Sequence, residues 1–442
     1  MPTTSSQTWY FEEVPLEEDD AGAAEPVPDI LAPVDEAPPP PQEAACRAVS
    51  RAKSALTLSC KRIAGAFTAP SPRGGCSWSL VGRKLVLFGG ADTARQQFAE
   101  TYCFDLDTRS WDRIGTTGSA PSARSGHAAV AVGQNIYIHG GMDAAGDLTF
   151  DDMFRLDTAS WTWSRIPCIG APPRNSHSVV ASPRSFCGTW SGEEGGQTTG
   201  QGASSRGGTS AGDDVYANSV DFDDDWVLLY FGGAAPEGPT NDVYVVGAAA
   251  AAAATEATPL RWTKVFCAGT APAPREMHAA CRFTVIAEPP EPVLPAMGTS
   301  NLLGGGTADG GGGVTTSMLV TGGRTVEGVV CNDLHVLDVR QWRWDRAADA
   351  PVPRCAHTAT LLKGEHGAAL VCVFGGWDGG ATISDDAHVF DIRAERWMTA
   401  AVKPDATARF GHCAAGCSGA IFVFGGVNPS QELTDVEVLS LA

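Results

Sequence analysis

Histidine and arginine are the residues whose spacing first suggests chemistry in this sequence. A histidine follows an arginine by three residues at five places: Arg124 and His127, Arg174 and His177, Arg275 and His278, Arg354 and His357, and Arg409 and His412. At a sixth place Arg73 is followed at that spacing by Cys76. Imidazole is a common metal ligand and a general base near neutral pH. Because the pattern recurs once in each repeated unit, however, we interpret both residue types as structural and predict no metal site.

Paired acids are the second group that could do chemistry. Asp151-Asp152 and Asp385-Asp386 have counterparts at equivalent places in Asn241-Asp242 and Asn332-Asp333, which indicates turn or strand-start residues rather than acid–base pairs. The sequence has no G-x-S-x-G motif, and its glycine runs lack the lysine of a phosphate-binding loop. We predict no catalytic residue and no cofactor. Four histidines lie outside the Arg-x-x-His pattern: His139, His335, His366 and His388.

The elements that position these residues are repeated along the chain. Apolar runs end in a glycine pair six times, and the second glycines are Gly90, Gly141, Gly233, Gly323, Gly376 and Gly426. Their spacings are 51, 92, 90, 53 and 50 residues. A tryptophan follows five of the pairs by 21 to 29 residues. A unit of about 50 residues, counted from its arginine, therefore occurs six times, and two units carry insertions.

One unit contains four short strand-like segments. In unit two these are Ser125–Val132, Gln134–Gly141, Asp152–Asp157 and Ser160–Ile166. Repeated four-stranded sheets are typical of a β-propeller, in which tryptophans fill the space between neighbouring sheets.

The glycine pairs, the later tryptophans and the P-x-R-x-x-H opening of the units resemble kelch repeats, in particular the subgroup of Rab-effector-like and cell-polarity kelch proteins. The resemblance covers about residues 55–442 and implies an all-β, six-bladed kelch propeller. It also implies a non-enzymatic scaffold that binds a partner protein or peptide. The alternative is a metal-dependent, lyase- or oxidase-like kelch enzyme, although no histidine here follows an aspartate by four residues, as the iron-binding motif of one such group requires.

Residues 1–54 have a different composition from the rest of the chain. Residues 1–50 hold 11 acids and one base, half of the net charge of −20. Such a Pro- and Ala-rich segment predicts a disordered acidic extension. Residues 59–73 align without gaps to residues 110–124, so we expect a strand near 57–63 to close the ring. Gln7–Val14 is the alternative closing strand.

Three insertions are predicted to form loops on one face of the propeller. They lie near residues 182–224, 247–259 and 287–316. The opposite face holds the connections between second and third strands: Ala91–Phe98, Met142–Phe150, Arg324–Gly328, Trp377–Ser384 and Val427–Glu432. These connections do not repeat, so specificity is expected there. The candidate partner-binding residues are Arg95, Asp143, Arg324, Trp377, Asp378 and Asn428.

Net charge and cysteine usage limit the partners and the compartment. A chain with 51 acids and 31 bases is poorly suited to nucleic acid or to an anionic membrane. No apolar run is long enough for a membrane helix. The 13 cysteines include no C-x-x-C pair, which favours a reducing compartment, the cytoplasm or the nucleus.

Overall fold

A computed structural model of the chain describes residues 56–64, 68–190, 225–286, 314–364, 368–430 and 433–442. Contacts divide the chain into Met1–Ser54 and Ala55–Ala442, and all described residues belong to the second part. The predicted acidic extension and the alternative closing strand Gln7–Val14 lie outside the described residues, as does His366.

The described residues form short strands with little helix. The first strands are β1 (Leu56–Ile63), β2 (Ser77–Val81), β3 (Lys84–Phe88), β4 (Thr101–Asp105), β5 (Ser110–Ile114), β6 (Thr117–Gly118), β7 (Ala128–Val132), β8 (Asn135–His139), β9 (Met153–Asp157), β10 (Thr162–Ile166), β11 (Cys168–Ile169) and β12 (Ser178–Pro183). Next come a 3-10 turn (Arg184–Phe186), β13 (Trp226–Phe231), β14 (Ala234–Ala235), β15 (Gly238–Pro239), β16 (Val243–Gly247), α1 (Ala248–Ala253), β17 (Leu260–Arg261), β18 (Thr263–Val265) and β19 (Ala268–Gly269). The last elements are β20 (Ala279–Ile286), β21 (Val314–Thr321), β22 (Leu334–Asp338), β23 (Arg343–Arg346), β24 (Thr358–Lys363), β25 (Ala369–Phe374), β26 (Ala387–Asp391), β27 (Arg396–Lys403), β28 (Cys413–Cys417), β29 (Ala420–Phe424) and β30 (Val436–Leu441).

Each sequence unit folds into an antiparallel meander of four strands. Units one to four give the orders β2-β3-β4-β5, β7-β8-β9-β10, β12-β13-β16-β18 and β20-β21-β22-β23, and the two-residue strands β6 and β19 extend the second and fourth sheets. The first strands of successive units adjoin one another, and β28 adjoins β2. The predicted all-β propeller is thereby confirmed. Units five and six share one eight-stranded sheet, β24-β25-β26-β27-β1-β30-β29-β28, so the count of six separate blades stays a prediction.

The strand β1 joins the two ends of the described propeller. It pairs antiparallel with β30, with Cys60 opposite Leu439, and parallel with β27, with Leu58 opposite Val402. Leu58 and Leu439 are fully buried in this sheet. The strand therefore completes the unit-six meander and covers an edge that would otherwise be open to pairing.

A closed circle of backbone hydrogen bonds also links the units. In this circle each backbone N–H donates to the carbonyl oxygen of the next residue, and the last N–H donates back to the first residue. The order is Gly75, Gly411, Ala356, Met277, Ser176 and Gly126. The N···O distances are 2.7 to 3.0 Å. All six residues have positive φ angles between 52° and 66°, a region that costs a non-glycine residue free energy. The circle satisfies polar groups that would otherwise be left unpaired.

The glycine pairs lie where no side chain fits, and they also hydrogen-bond the next unit. Gly141 has a φ of 94°, and a Cβ there would lie 2.8 Å from the carbonyl oxygen of Ser125. Its amide donates a 2.8 Å hydrogen bond to Arg174 O at the opening of the next unit. The equivalent amide of Gly426 donates to Arg73 O, also at 2.8 Å, so the last unit meets the first in the same way.

Aromatic rings fill the space between neighbouring sheets. Phe88 of unit one contacts Trp163 of unit two, with ring centroids 5.1 Å apart, and Trp111 contacts Phe424 of unit six at 4.9 Å. Both tryptophans are almost completely buried. Truncating a buried aromatic side chain of this size to alanine costs about 3–5 kcal/mol of stability.

The described parts of the predicted insertions include regular structure. β12 continues to Pro183 and β21 begins at Val314, so these strands extend into the ranges 182–224 and 287–316 that were expected to be loops. The rest of both ranges falls largely outside the described residues. In the third range the alanine run forms α1, because alanine has the highest helix propensity. Within the described residues, no helix is long and apolar enough to span a membrane.

Candidate functional site

The repeated arginines are buried and make hydrogen bonds within their own units. Each is at most 2% exposed, and each donates from Nη1 to the carbonyl of the first glycine of its own unit. Arg124, for example, lies 3.0 Å from Gly140 O and 2.6 Å from Asp152 Oδ1. The guanidinium also stacks on Phe150, 4.0 Å from the ring centroid. A charge this deeply buried is retained because it is paired and hydrogen-bonded.

These contacts explain the paired acids better than the strand-start interpretation does. The second residue of four pairs faces the arginine of its own unit: Asp152, Asp242, Asp333 and Asp386. The recurrence of an acid and an arginine once in each unit is the sequence pattern that corresponds to these ion pairs.

The repeated histidines are buried between units. The imidazole Nε2 of His127 lies 2.8 Å from Ser77 Oγ of the preceding unit, and His278 and His412 make equivalent contacts with Ser178 and Thr358. Burial, together with the nearby Arg124 charge, lowers the pKa of His127 to about 3. The imidazoles are therefore neutral at pH 7 and serve as packed polar connectors. Within the described ranges, no group of three or more His, Cys, Asp or Glu residues could hold a metal ion.

His139 and His177 form a further buried pair. Their Nδ1 and Nε2 atoms are 3.1 Å apart, and the His139 ring packs 4.3 Å from that of Trp262. His139 occupies the place that Phe88 and Phe231 have in other units, directly before the glycine pair. It lies fully buried in the core.

Three of the candidate partner-binding residues shape their own loops. Asp143 Oδ1 accepts the Leu148 amide at 3.1 Å, and Asp378 Oδ1 accepts the amides of Gly380 and Thr382 at 2.8 and 3.1 Å. The backbone hydrogen bond from Gly380 lowers the pKa of Asp378. Asn428 Oδ1 accepts the Ser430 amide at 2.9 Å, and its Nδ2 donates to Ala408 O, before unit six, at 2.7 Å. These side chains fix the loop conformation at equivalent places in units two, five and six.

Trp377 also contacts its own loop. Its indole N–H donates to Gly380 O at 2.7 Å, and its backbone bridges to Cys355 and Ile383. The side chain is half-buried rather than projecting from the face. Its role as an anchor for a partner stays a prediction.

The two candidate arginines differ in their surroundings. Arg95 is exposed at a turn with a φ of 68°. Arg324 forms an ion pair with Glu276, with 2.7 Å between Nη2 and Oε1, and only 19% of its side chain is exposed. The structure thus places Arg324 in a contact between two loops of unit four. The six candidates belong to loops of units one, two, four, five and six.

Exposed apolar side chains are the signal that sequence reasoning missed. Five large ones stand out among the described residues: Leu148, Ile169, Phe266, Val326 and Val329, which are 45 to 82% exposed. All lie either in a connection between second and third strands or in a segment that joins two units. In an antiparallel meander these connections leave the sheets at one edge, which we call the loop face. Ile169 is the exception, because its segment turns back and pairs with Arg261, in the connection between the third and fourth strands of unit three. All five belong to units two to four and the segments that follow units two and three.

The sequence matches the family model of the KLHDC2/KLHL20/DRC7 Kelch-repeats domain over residues 53–199 and 311–442, more than half of the chain. The chain belongs to the kelch-repeat family. Among curated proteins, it is 42% identical over 114 residues to acyl-CoA-binding domain-containing protein 5 of Arabidopsis thaliana, covering 25% of this chain and 17% of that protein. It is 44% identical over 87 residues to the Rab9 effector protein with kelch motifs of Rattus norvegicus, covering 19% and 23%.

A third relative matches at lower identity over a longer range. Kelch domain-containing protein 2 of Bos taurus is 23% identical over 377 residues, which is 81% of this chain and 76% of that protein. The matched segments span less than a quarter of the Arabidopsis and rat kelch proteins. What these relatives share with our chain is therefore the repeat rather than a demonstrated activity.

Proposed function

We propose that this kelch protein is a non-enzymatic interaction module that binds a partner protein or peptide on its loop face, over units two to four. The observation that carries the proposal is the position of Leu148, Val326 and Phe266, which are 53, 66 and 82% exposed at one edge of the sheets. Large exposed apolar side chains gathered on one side of a domain mark interaction surfaces. The propeller provides a rigid frame for these side chains, because its repeated arginines and histidines are buried in contacts within and between the units.

The loops of units two to four adjoin one another. Thr149, next to Leu148, accepts a hydrogen bond at 3.5 Å from Asn175, whose backbone pairs with Ala234 at the start of the unit-three loop. A Cβ on Gly238 in that loop would lie 3.9 Å from Val326 Cγ2 of unit four. A partner segment that lies across these loops can therefore contact all three.

Membership of the kelch-repeat family supports protein binding, and the rat relative is by name an effector of Rab9. From these relatives we infer only that the chain binds a protein, and we do not propose which protein it binds. The cytoplasm, with the nucleus as an alternative, is the compartment we propose.

Site-specific photo-crosslinking tests the proposal. Leu148 is replaced by p-benzoylphenylalanine, and the control carries the same residue in place of Ala159, in the turn at the opposite edge of unit two. We expect Leu148 to crosslink a discrete protein in native lysate and Ala159 not to do so. The Leu148→Ser and Val326→Ser double variant should abolish capture of that protein. Equal capture from both positions, or capture that survives the double variant, would contradict the proposal.

A further inference from the structure

The exposed apolar residues of the loop face stand next to acids. Leu148 follows Asp147, Val326 precedes Glu327, and the intervening unit-three loop carries Glu237. All three acids are exposed. We call Asp147, Leu148, Glu237, Val326, Glu327 and Val329 the apolar–acidic patch.

The positive charge within the three loops of the patch is already paired. The three loops, 142–150, 234–240 and 324–330, hold four acids and one base. That base is Arg324, which is paired with Glu276 at 2.7 Å. Lys264, at the end of unit three, lies 2.8 Å from Asp242. The joining segments 167–173 and 266–274, which carry Ile169 and Phe266, contain no charged residue.

From this juxtaposition we infer the chemistry of the partner: the apolar–acidic patch binds a protein segment whose aliphatic side chains are flanked by lysine or arginine. The inference rests on the proposed function and adds the sign of the partner's charge. Apolar contact supplies affinity, whereas opposite charges at the rim steer the encounter and select the partner. An acidic segment is excluded by like-charge repulsion from three loops at once.

The other loops of the face lack this combination. Among the described residues of the corresponding loops in units one, five and six, no large apolar side chain is prominently exposed. Arg95 adds positive charge in unit one, and Asp378 is occupied by two backbone amides of its own loop. The patch therefore defines one sector of the ring as the docking surface.

Fluorescence anisotropy with two designed peptides on the full chain tests the inference. One is a fluorescein-labelled amphipathic peptide of leucine and lysine, and the other has glutamate at every lysine position. The patch variant is Asp147→Asn, Glu237→Gln and Glu327→Gln. The matched control, Asp112→Asn, Glu256→Gln and Asp385→Asn, removes the same charge from exposed acids outside the patch.

We expect the lysine peptide to bind the unaltered chain. Its affinity should fall roughly fivefold or more in the patch variant and change little in the control. High salt should weaken this binding as well.

The apolar contribution is tested with Leu148→Ser and Val326→Ser, whose melting temperature is compared with that of the unaltered chain. We expect the lysine peptide to lose affinity while the melting temperature stays the same. Equal weakening by the patch and control variants would show attraction to overall charge only and would overturn the inference. Binding of the glutamate peptide that depends on Leu148 and Val326 would also overturn it, yet would leave protein binding on the loop face intact. If Leu148 crosslinks a partner but the lysine peptide does not bind in a way that depends on the patch, the inference is likewise overturned and protein binding on the loop face still stands.

Discussion

Glu437 and Arg409 form an ion pair in which neither side chain is exposed, with 3.0 Å between Oε2 and Nη2. The other repeated arginines face an acid directly before the third strand of their unit, but in unit six that acid, Asp435, pairs with Arg62 of β1 at 2.6 Å. Glu437 also accepts hydrogen bonds from the amide and the hydroxyl of Thr407, and its Oε1 lies 2.9 Å from Arg62 Nη2. The strand that completes the unit-six sheet thus changes which carboxylate neutralises the buried arginine.

Replacing Glu437 should be among the most destabilising single changes at this seam. Glu437→Ala leaves the fully buried Arg409 without its countercharge, and breaking a buried pair in this way costs about 3–5 kcal/mol. Urea unfolding measures the free energy difference. Glu256→Ala, at an exposed site, is the control and should change stability by less than about 0.5 kcal/mol. A similar small change for Glu437→Ala would show that the pair contributes nothing.

Truncation of the N-terminus should separate residues that close the ring from those that precede them. Because β1 begins at Leu56, we expect removal of residues 1–50 to leave the melting temperature nearly unchanged. Removal of residues 1–64 exposes the edges of β27 and β30 and takes Arg62 from its two acids, so the temperature should fall by more than about 5 °C. A large fall for the shorter truncation would point to the alternative closing strand Gln7–Val14.

Sequence alone predicted the features that recur. The meander of unit two appears where the apolar runs placed it, and β1 pairs with β30 over a segment that includes the residues aligned with the outer strand of unit one. The glycine pairs and tryptophans were readable because each unit imposes the same steric demand on them. Periodicity of this kind carries strand order but says little about individual side chains.

Features that depend on several units could not be predicted from sequence. The partner of Arg409 is Glu437 rather than Asp435, and Arg62, far away in sequence, pairs with both of these acids. Likewise, Trp377 was the most conspicuous loop residue, yet its indole N–H is taken by Gly380. Leu148 drew no attention, although the loop geometry set by Asp143 leaves it 53% exposed. Exposure is a result of packing and has no signature in a short stretch of residues.

Acid should destabilise the propeller below about pH 6.5 through its buried imidazoles. Burial is the main cause that lowers the pKa values of His127, His139, His278 and His412 to about 3, and it lowers those of His177 and His357 as well. Between pH 6.5 and 3 the unfolded chain therefore binds more protons than the folded one, and stability falls as the pH falls. Each histidine contributes a slope of up to about 1.4 kcal/mol per pH unit.

The change in slope identifies the groups responsible. In urea unfolding at a series of pH values, His127→Gln should make the fall in stability between pH 6.5 and 4 shallower by one histidine's contribution. Glutamine keeps a polar atom for Ser77 but does not titrate. An unchanged slope would mean that His127 is protonated equally in the folded and unfolded states.

Oxidation should join Cys76 and Cys413 across the seam between the first and last units. Their Sγ atoms are 3.5 Å apart, and Cys76 occupies the place of the histidine in the other units. With diamide as oxidant, the two thiols lose two protons and two electrons to it and form one disulfide, which peptide mapping under non-reducing conditions detects. Since the bond would link residues 337 apart in sequence, it should stabilise the fold by about 2–4 kcal/mol.

Cys76→Ser should remove both the crosslink and the stabilisation, whereas Cys331→Ser should remove neither. Crosslinking that persists in Cys76→Ser at Cys413, or a stable native fold in which the pair stays reduced under diamide, would contradict this arrangement of the seam.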